Sequence, residues 1–295
     1  MGNIFKTLGK RKQDITGEQN SVDDSIDEIV SDTDDSIDEA IQATDDSMAE
    51  TISDEEDIVT YYIDPALVTG LEPQSIEAEQ FRLLKNNILF PEKGTPPRSI
   101  MLTSFSPSEG KSFVAANLAI SIAQNIDEYV LLLDCDLRSP SIHPMFGLAD
   151  GPGLSEYLSE NRPLTSLLVK TFLDKLTILP AGEIPDNPSE LLSSDRMKRL
   201  ISEIKKRYAD RYIIFDTSPP YLTSETNAIS RQVDGIVIVV QQGKTRKKDV
   251  MDLIDIYGKE KILGVVYNFA SRRSGYGYGY GYGKYGYGKY GYGRK

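Results

Sequence analysis

Three stretches of this sequence end in side chains that together suit a phosphate chain and its cation. Gly110-Lys111-Ser112 follows the apolar run 99–104 and opens a helical stretch of small and apolar residues from Phe113. N–H groups of a tight loop running into a helix N-terminus cradle phosphate oxygens. A Lys ammonium there reaches the β- and γ-phosphates, and a Ser hydroxyl ligates Mg²⁺. The pattern G-x-x-x-x-G-K-[ST] departs at its first position, where Phe105 stands. A second apolar run, 130–133, ends in Asp134-Cys135-Asp136-Leu137-Arg138, and a third, 212–215, ends in Asp216-Thr217-Ser218-Pro219-Pro220. Ligands of a doubly wound sheet bind outside the carboxyl ends of its strands. Lys111, Ser112, Asp134, Asp136 and Asp216 are therefore expected to converge on one Mg²⁺–nucleotide site.

The elements that position these residues alternate. Apolar runs 129–134, 176–180, 212–216, 235–240 and 262–267 read as strands. Helices are predicted over 75–90, 111–125 and 189–208, after Gly153, near 223–232 and over 245–257. In the first, Ile76, Phe81, Leu84, Ile88 and Leu89 make the apolar side. Continuous Val/Ile/Leu runs with helices between them indicate a parallel sheet covered on both faces. The fold class is α/β: a P-loop NTPase-type doubly wound, mostly parallel sheet.

Three regions are expected: a basic N-terminus and acidic segment over 1–60, a globular domain over 61–270, and a tail over 271–295. The net charge of −12 is unevenly spread, because residues 13–60 carry eighteen acids and no bases. Asp23-Asp-Ser-Ile-Asp-Glu recurs from Asp34 and, altered, from Asp45, with a period of eleven. Few apolar residues and like charge predict a solvated linker or interaction segment there. For residues 1–12, with four bases, a basic amphipathic helix on an anionic membrane surface and a disordered terminus both stand as readings. No apolar run of eighteen exists, the start does not read as a secretory signal, and no Cys/His cluster suits zinc. The one cysteine, Cys135, suits a reducing cytoplasm. No nucleic-acid-binding face is evident.

Taken together, the motifs resemble those of the bacterial tyrosine kinases, the BY-kinase family. Asp134-Cys135-Asp136-Leu137-Arg138 matches the family's Walker A′ D-x-D-x-R, and Pro107–Ser112 its P-G-E-G-K-[ST] except at Ser108. Asp216–Pro220 is one residue longer than the Walker B D-x-P-P. The resemblance covers roughly 72–270 and the tail. It implies ATP and Mg²⁺, with Ser108, Glu109, Gly110, Lys111, Ser112 and Phe113 around the phosphates and Asn268 at the adenine edge. Ser112, Asp134, Asp136 and Asp216 are the implied metal ligands. Lys111, Asp134, Asp136, Arg138 and Asp216 are the implied catalytic set, and the expected proton acceptor is Asp136 first and Asp134 next. Arg138 either stabilises transferring charge or pairs with these carboxylates. The family's E-x-x-R-x-x-R ring-assembly helix is approximated by Glu79, Arg82 and Lys85. An implied partner is a membrane-embedded chain-length regulator of exopolysaccharide or capsule export that recruits the cytoplasmic chain to the inner face of the plasma membrane.

The tail alternates Gly with Tyr276, Tyr278, Tyr280, Tyr282, Tyr285, Tyr287, Tyr290 and Tyr292, carries six bases and no acids, and offers no core. By resemblance it is the substrate, phosphorylated by a neighbouring subunit. Two alternatives remain: a ParA/MinD-like ATPase, whose signature Lys position holds Ser106 here, and a weakly catalytic nucleotide-binding adaptor. His143, the only histidine, reads as a loop residue near Phe146 or as a catalytic group.

Overall fold

Each long apolar run becomes a strand, and those of the sheet centre are buried on both faces. The computed structural model describes residues 4–6, 62–160, 162–208, 210–221 and 225–270. Its strands are β1 (Ile4–Lys6), β2 (Ser99–Ser104), β3 (Tyr129–Asp134), β4 (Val169–Lys170), β5 (Leu176–Leu179), β6 (Arg211–Asp216), β7 (Gly235–Gln241) and β8 (Ile262–Asn268). They form one sheet in the order β1-β8-β7-β2-β6-β3-β5-β4, parallel except for β4 against β5. All six residues of β2 are buried.

Side chains alternate across the sheet with the strand period of two. Ile100, Leu102, Leu132 and Ile214 join one core, while Met101, Leu131, Leu133 and Phe215 join the other. Helices α1 (Val68–Leu71), α2 (Ile76–Leu89) and α3 (Lys111–Ala123) cover the first face. Then come α4 (Ile142–Met145), α5 (Leu154–Glu160), α6 (Pro188–Ser193), α7 (Asp195–Arg207), α8 (Glu225–Ser230) and α9 (Lys247–Tyr257), of which α7 and α9 cover the second face. The expected doubly wound architecture is present.

Three local expectations are corrected. The helix predicted over 189–208 is two helices. Ser194 takes an extended conformation, its hydroxyl accepts the Met197 N–H at 3.2 Å, and it thereby caps α7. Ile76 is exposed, whereas the other four residues assigned to that apolar side are buried. Residues 4–6 form neither a membrane helix nor part of a disordered terminus. They pair as a parallel edge strand with Val265–Tyr267 of β8, whose outer backbone groups seek a partner. The two-residue strand β4 carried no periodic signal. The acidic repeats and the Gly/Tyr tail lie outside the described residues.

One buried amide ties the start of the domain to the helix that carries the phosphate loop. Asn117, fully buried on α3, accepts the Thr69 N–H at 2.9 Å and donates to Ala66 O at 2.9 Å and Phe113 O at 3.0 Å. Asn117→Ala orphans a donor and an acceptor at once. It should lower the unfolding free energy by about 2–4 kcal/mol in urea titrations; a loss below about 0.5 kcal/mol would contradict this role.

Candidate active site

The phosphate loop runs from the end of β2 into α3. Ser108 and Gly110 both sit in the left-handed region, at φ 61° and 86°. Such turns aim successive backbone N–H groups inward and form an anion nest. A Cβ on Gly110 would run into the Asn268 side-chain amide. That amide donates to Glu109 O at 3.0 Å, and its oxygen accepts the Phe269 N–H at 2.9 Å. The structure thus places Asn268 against the loop rather than open toward a base.

The Glu109 side chain also serves the loop. It is buried, accepts the Ser106 N–H at 3.0 Å, and accepts from the Thr245 hydroxyl, which in turn accepts the Gln241 N–H at 2.9 Å. Only its backbone is left for a ligand. Phe105, at the position of the missing first Gly, packs against Tyr221 with ring centroids 4.7 Å apart. Phe113 packs edge-on to Phe81.

The carboxylates meet where expected. Asp134 and Asp216 are register partners on adjacent parallel strands, and both are fully buried. Asp134 is held: one oxygen accepts the Asp136 N–H at 3.1 Å, the other those of Ser141 and Ile142, each at 3.0 Å. Its neighbour is bare. Among the described residues, no donor lies in hydrogen-bonding geometry to either Asp216 oxygen. Burial, reinforced by the Asp134 charge, pushes the Asp216 carboxyl up to about 8, although Lys111 and the nearby Ser112 hydroxyl pull the other way. Burial likewise raises Asp134, to about 6, against the pull of its three backbone donors. Asp136 is half-buried and accepts the Ser218 hydroxyl at 2.7 Å.

A buried carboxylate without a donor beside a Lys, a Ser and an anion nest fits a cation bridging to phosphate. Among the described residues, no group of three His, Cys, Asp or Glu side chains is spaced to hold a metal by itself. That is the arrangement Mg²⁺ commonly uses: one or two carboxylates, with phosphate oxygens and waters completing its shell. Asp216 and Ser112 are the residues that fit direct ligation. Asp134, whose two oxygens already accept three backbone donors, fits an indirect role.

The other expected residues fall elsewhere. Arg138 is exposed and donates to Ser189 Oγ at 2.8 Å, at the start of α6. His143 Nε2 lies 2.8 Å from Asp150 Oδ1, away from the carboxylate set. Glu79 and Arg82 pair along α2, and Arg82 also reaches Pro73 O. Lys85 donates to Asn125 Oδ1 at 2.6 Å, and burial, then the Arg82 charge, hold its ammonium below the ordinary lysine value. The residues missed in the sequence are Ser218 and the Glu109–Thr245 brace. Ser218 had a visible signal, the extra position in its motif; Thr245 had none.

A family model described as ParA: NUBPL iron-transfer P-loop NTPase matches residues 98–275. The class of protein is therefore a ParA-type P-loop NTPase. Tyrosine-protein kinase YwqD of Bacillus subtilis is 38% identical over 204 residues, spanning 68% of this chain and 85% of that protein. Putative tyrosine-protein kinase CapB of Staphylococcus aureus is 31% identical over 199 residues, 67% of this chain and 86% of that one. The kinase domain of Escherichia coli tyrosine kinase ETK superposes with a TM-score of 0.65 at 30% identity, covering 73% of this chain and 84% of that one. This chain belongs to the bacterial tyrosine kinases, protein-tyrosine kinases of the BY type. MinD structures at 22% identity share the fold alone.

The raised carboxyl pKa values set a stability profile. At these two sites protons bind the folded state more tightly than the unfolded chain, where aspartate titrates near 4, so the pair's contribution to stability is fully present below that value. It is lost as pH rises through about 6 and about 8. The ligand-free protein should therefore melt at progressively lower temperature across this window, and Asp216→Asn should flatten the fall. Equal slopes for the two proteins would contradict the assignment.

Proposed function

We propose that this chain transfers the γ-phosphoryl of Mg-ATP to tyrosines of the 271–295 tail of a second copy, and so regulates exopolysaccharide or capsule synthesis and export. The observation that carries the reading is the bare, buried Asp216 between the phosphate loop and two further aspartates, in a chain whose relatives are named tyrosine kinases. Lys111 and the 108–113 backbone hold the phosphates. Ser112 and Asp216 would hold Mg²⁺, which would supply charge neutralisation to the phosphate chain. Ser112 and Asp216 orient that end of the site, and Asp134 keeps the 136–142 turn in place through its backbone donors.

A tail Tyr oxygen forms the new bond to phosphorus as the bond to the ADP oxygen breaks. The phenol, with an unperturbed pKa of about 10, needs an acceptor for its proton as that bond forms. Asp136 is the acceptor. The adenine-edge role for Asn268 requires it to exchange its bond to Glu109 for one to the base. A role for Arg138 at the transferring phosphoryl competes with its bond to Ser189.

The same reading includes a ring of copies assembled through Glu79, Arg82 and Lys85, whose side chains exchange partners within the chain for partners on the neighbour. It also includes recruitment to the inner membrane face by a membrane-embedded chain-length regulator. Among the described residues no helix is long and apolar enough to cross a membrane.

Peptide mass spectrometry after incubation with Mg-ATP tests the proposal. Several phosphates should appear within 276–292 of the wild-type chain. Lys111→Met, melting within a few degrees of wild type, should show at least a hundredfold less. Equal phosphotyrosine in the two would contradict it.

A further inference from the structure

The family's Walker B ends D-x-P-P, so the second residue after its aspartate is proline, which has no hydroxyl. In this chain that position is Ser218, and its hydroxyl donates to Asp136 Oδ1 at 2.7 Å. Ser218 is only 4% exposed. Its place is fixed from several sides. Its carbonyl accepts from the Thr226 hydroxyl at 2.9 Å and, more weakly, from that of Thr103 at 3.4 Å. The preceding Thr217 is tied to β2, with its hydroxyl donating to Leu102 O at 2.9 Å. The following Pro219 confines Ser218 to extended conformations. On so constrained a backbone only the side-chain rotamer sets where the hydroxyl points, its bond to Asp136 selects that rotamer, and an ionised carboxylate has only acceptors to offer it.

Asp136 depends on this contact more than its neighbours depend on theirs. Asp134 is held by three backbone donors, whereas the Ser218 hydroxyl is the one hydrogen-bond donor to the Asp136 side chain among the described residues. Asp136 is also half-exposed, on a turn beyond the end of β3, so strand packing does not set its rotamer. With one oxygen held by Ser218, the second is left for the reacting group.

We infer that Ser218 is a positioning residue for phosphoryl transfer, its hydroxyl fixing the direction of the Asp136 carboxylate. The inference rests on the proposed kinase reading and adds to it a residue that the shorter motif lacks. It also gives the extra Walker B position a use, where an adaptor reading treats it as damage. Supporting groups behind a working carboxylate or metal ligand typically matter by one to two orders of magnitude, because misdirection costs rate without removing the group.

The test uses the full-length chain, wild type beside Ser218→Ala, Ser218→Thr and Asp136→Asn, singly and with Ser218→Ala. Ser218→Ala should lower kcat for tail phosphorylation roughly 10- to 100-fold, with KM for ATP and the Kd for a fluorescent Mg-ADP analogue each within about twofold. Its melting temperature should stay within a few degrees of wild type. Ser218→Thr, which keeps a hydroxyl, should recover most of the rate. On an Asp136→Asn background the Ser218→Ala change should cost less than about twofold more. A Ser218→Ala chain with unchanged kcat, one whose loss is matched by weaker nucleotide binding or lower melting, or a Thr variant no better than Ala would overturn the inference and leave the kinase reading standing. A wild-type chain that makes no phosphotyrosine would overturn both.

Discussion

Two aspartates side by side in a dry sheet are an unfavourable arrangement, and the architecture around them follows from how it is tolerated. Two unit charges about 5 Å apart repel by roughly 3 kcal/mol at an effective dielectric near 20. Asp134 and Asp216 occupy equivalent positions on neighbouring strands and are both fully buried. Asp134 is made tolerable by three backbone donors from the turn that follows it, whereas Asp216 has no such help. The fold keeps Asp216 in a state that a cation and the Lys111 ammonium can relieve. A site that is costly when empty binds its charge partner more tightly for that reason, since binding removes the cost.

The phosphate loop shows the complementary solution, strain held by hydrogen bonds. Ser108 has a side chain yet stands at positive φ. The loop is braced by Asn268 at the end of β8 and by Thr245 beyond the end of β7, both acting through Glu109. Its shape is thus set by strands on the side of β2 away from the aspartates. The acids and the loop are positioned independently, and β2 and β6 bring them together.

Much of this was legible in the sequence. The runs ending at Asp134 and Asp216, Val-Leu-Leu-Leu and Tyr-Ile-Ile-Phe, have no polar alternation, and with helices between them they suit a parallel sheet covered on both faces. Convergence of the carboxylates on Lys111 followed from the rule for strand ends. What could not be read were contacts between distant residues whose types carry no pattern. Thr245 bracing Glu109 and Asn117 clamping residues 66–69 are each a single polar side chain, and their meaning comes from packing alone. Ile76 fitted the apolar spacing but lies at the first position of its helix, where no neighbour covers it. The break at Ser194 was hidden because both halves of that stretch share a helical spacing, and a cap looks like any serine until its φ and ψ are known.

In the proposed reaction the buried aspartate pair is where the cation and nucleotide act, and proton release on binding tests this most directly. Mg-ADP binding would be measured by calorimetry at pH about 8 in two buffers of different ionisation enthalpy, a pH at which the nucleotide phosphates are already ionised. Asp216, raised to about 8, should give up about half a proton as it pairs with the cation. Binding with no proton released would mean that the pair is not the group the ligand relieves, and the account built on it would fail.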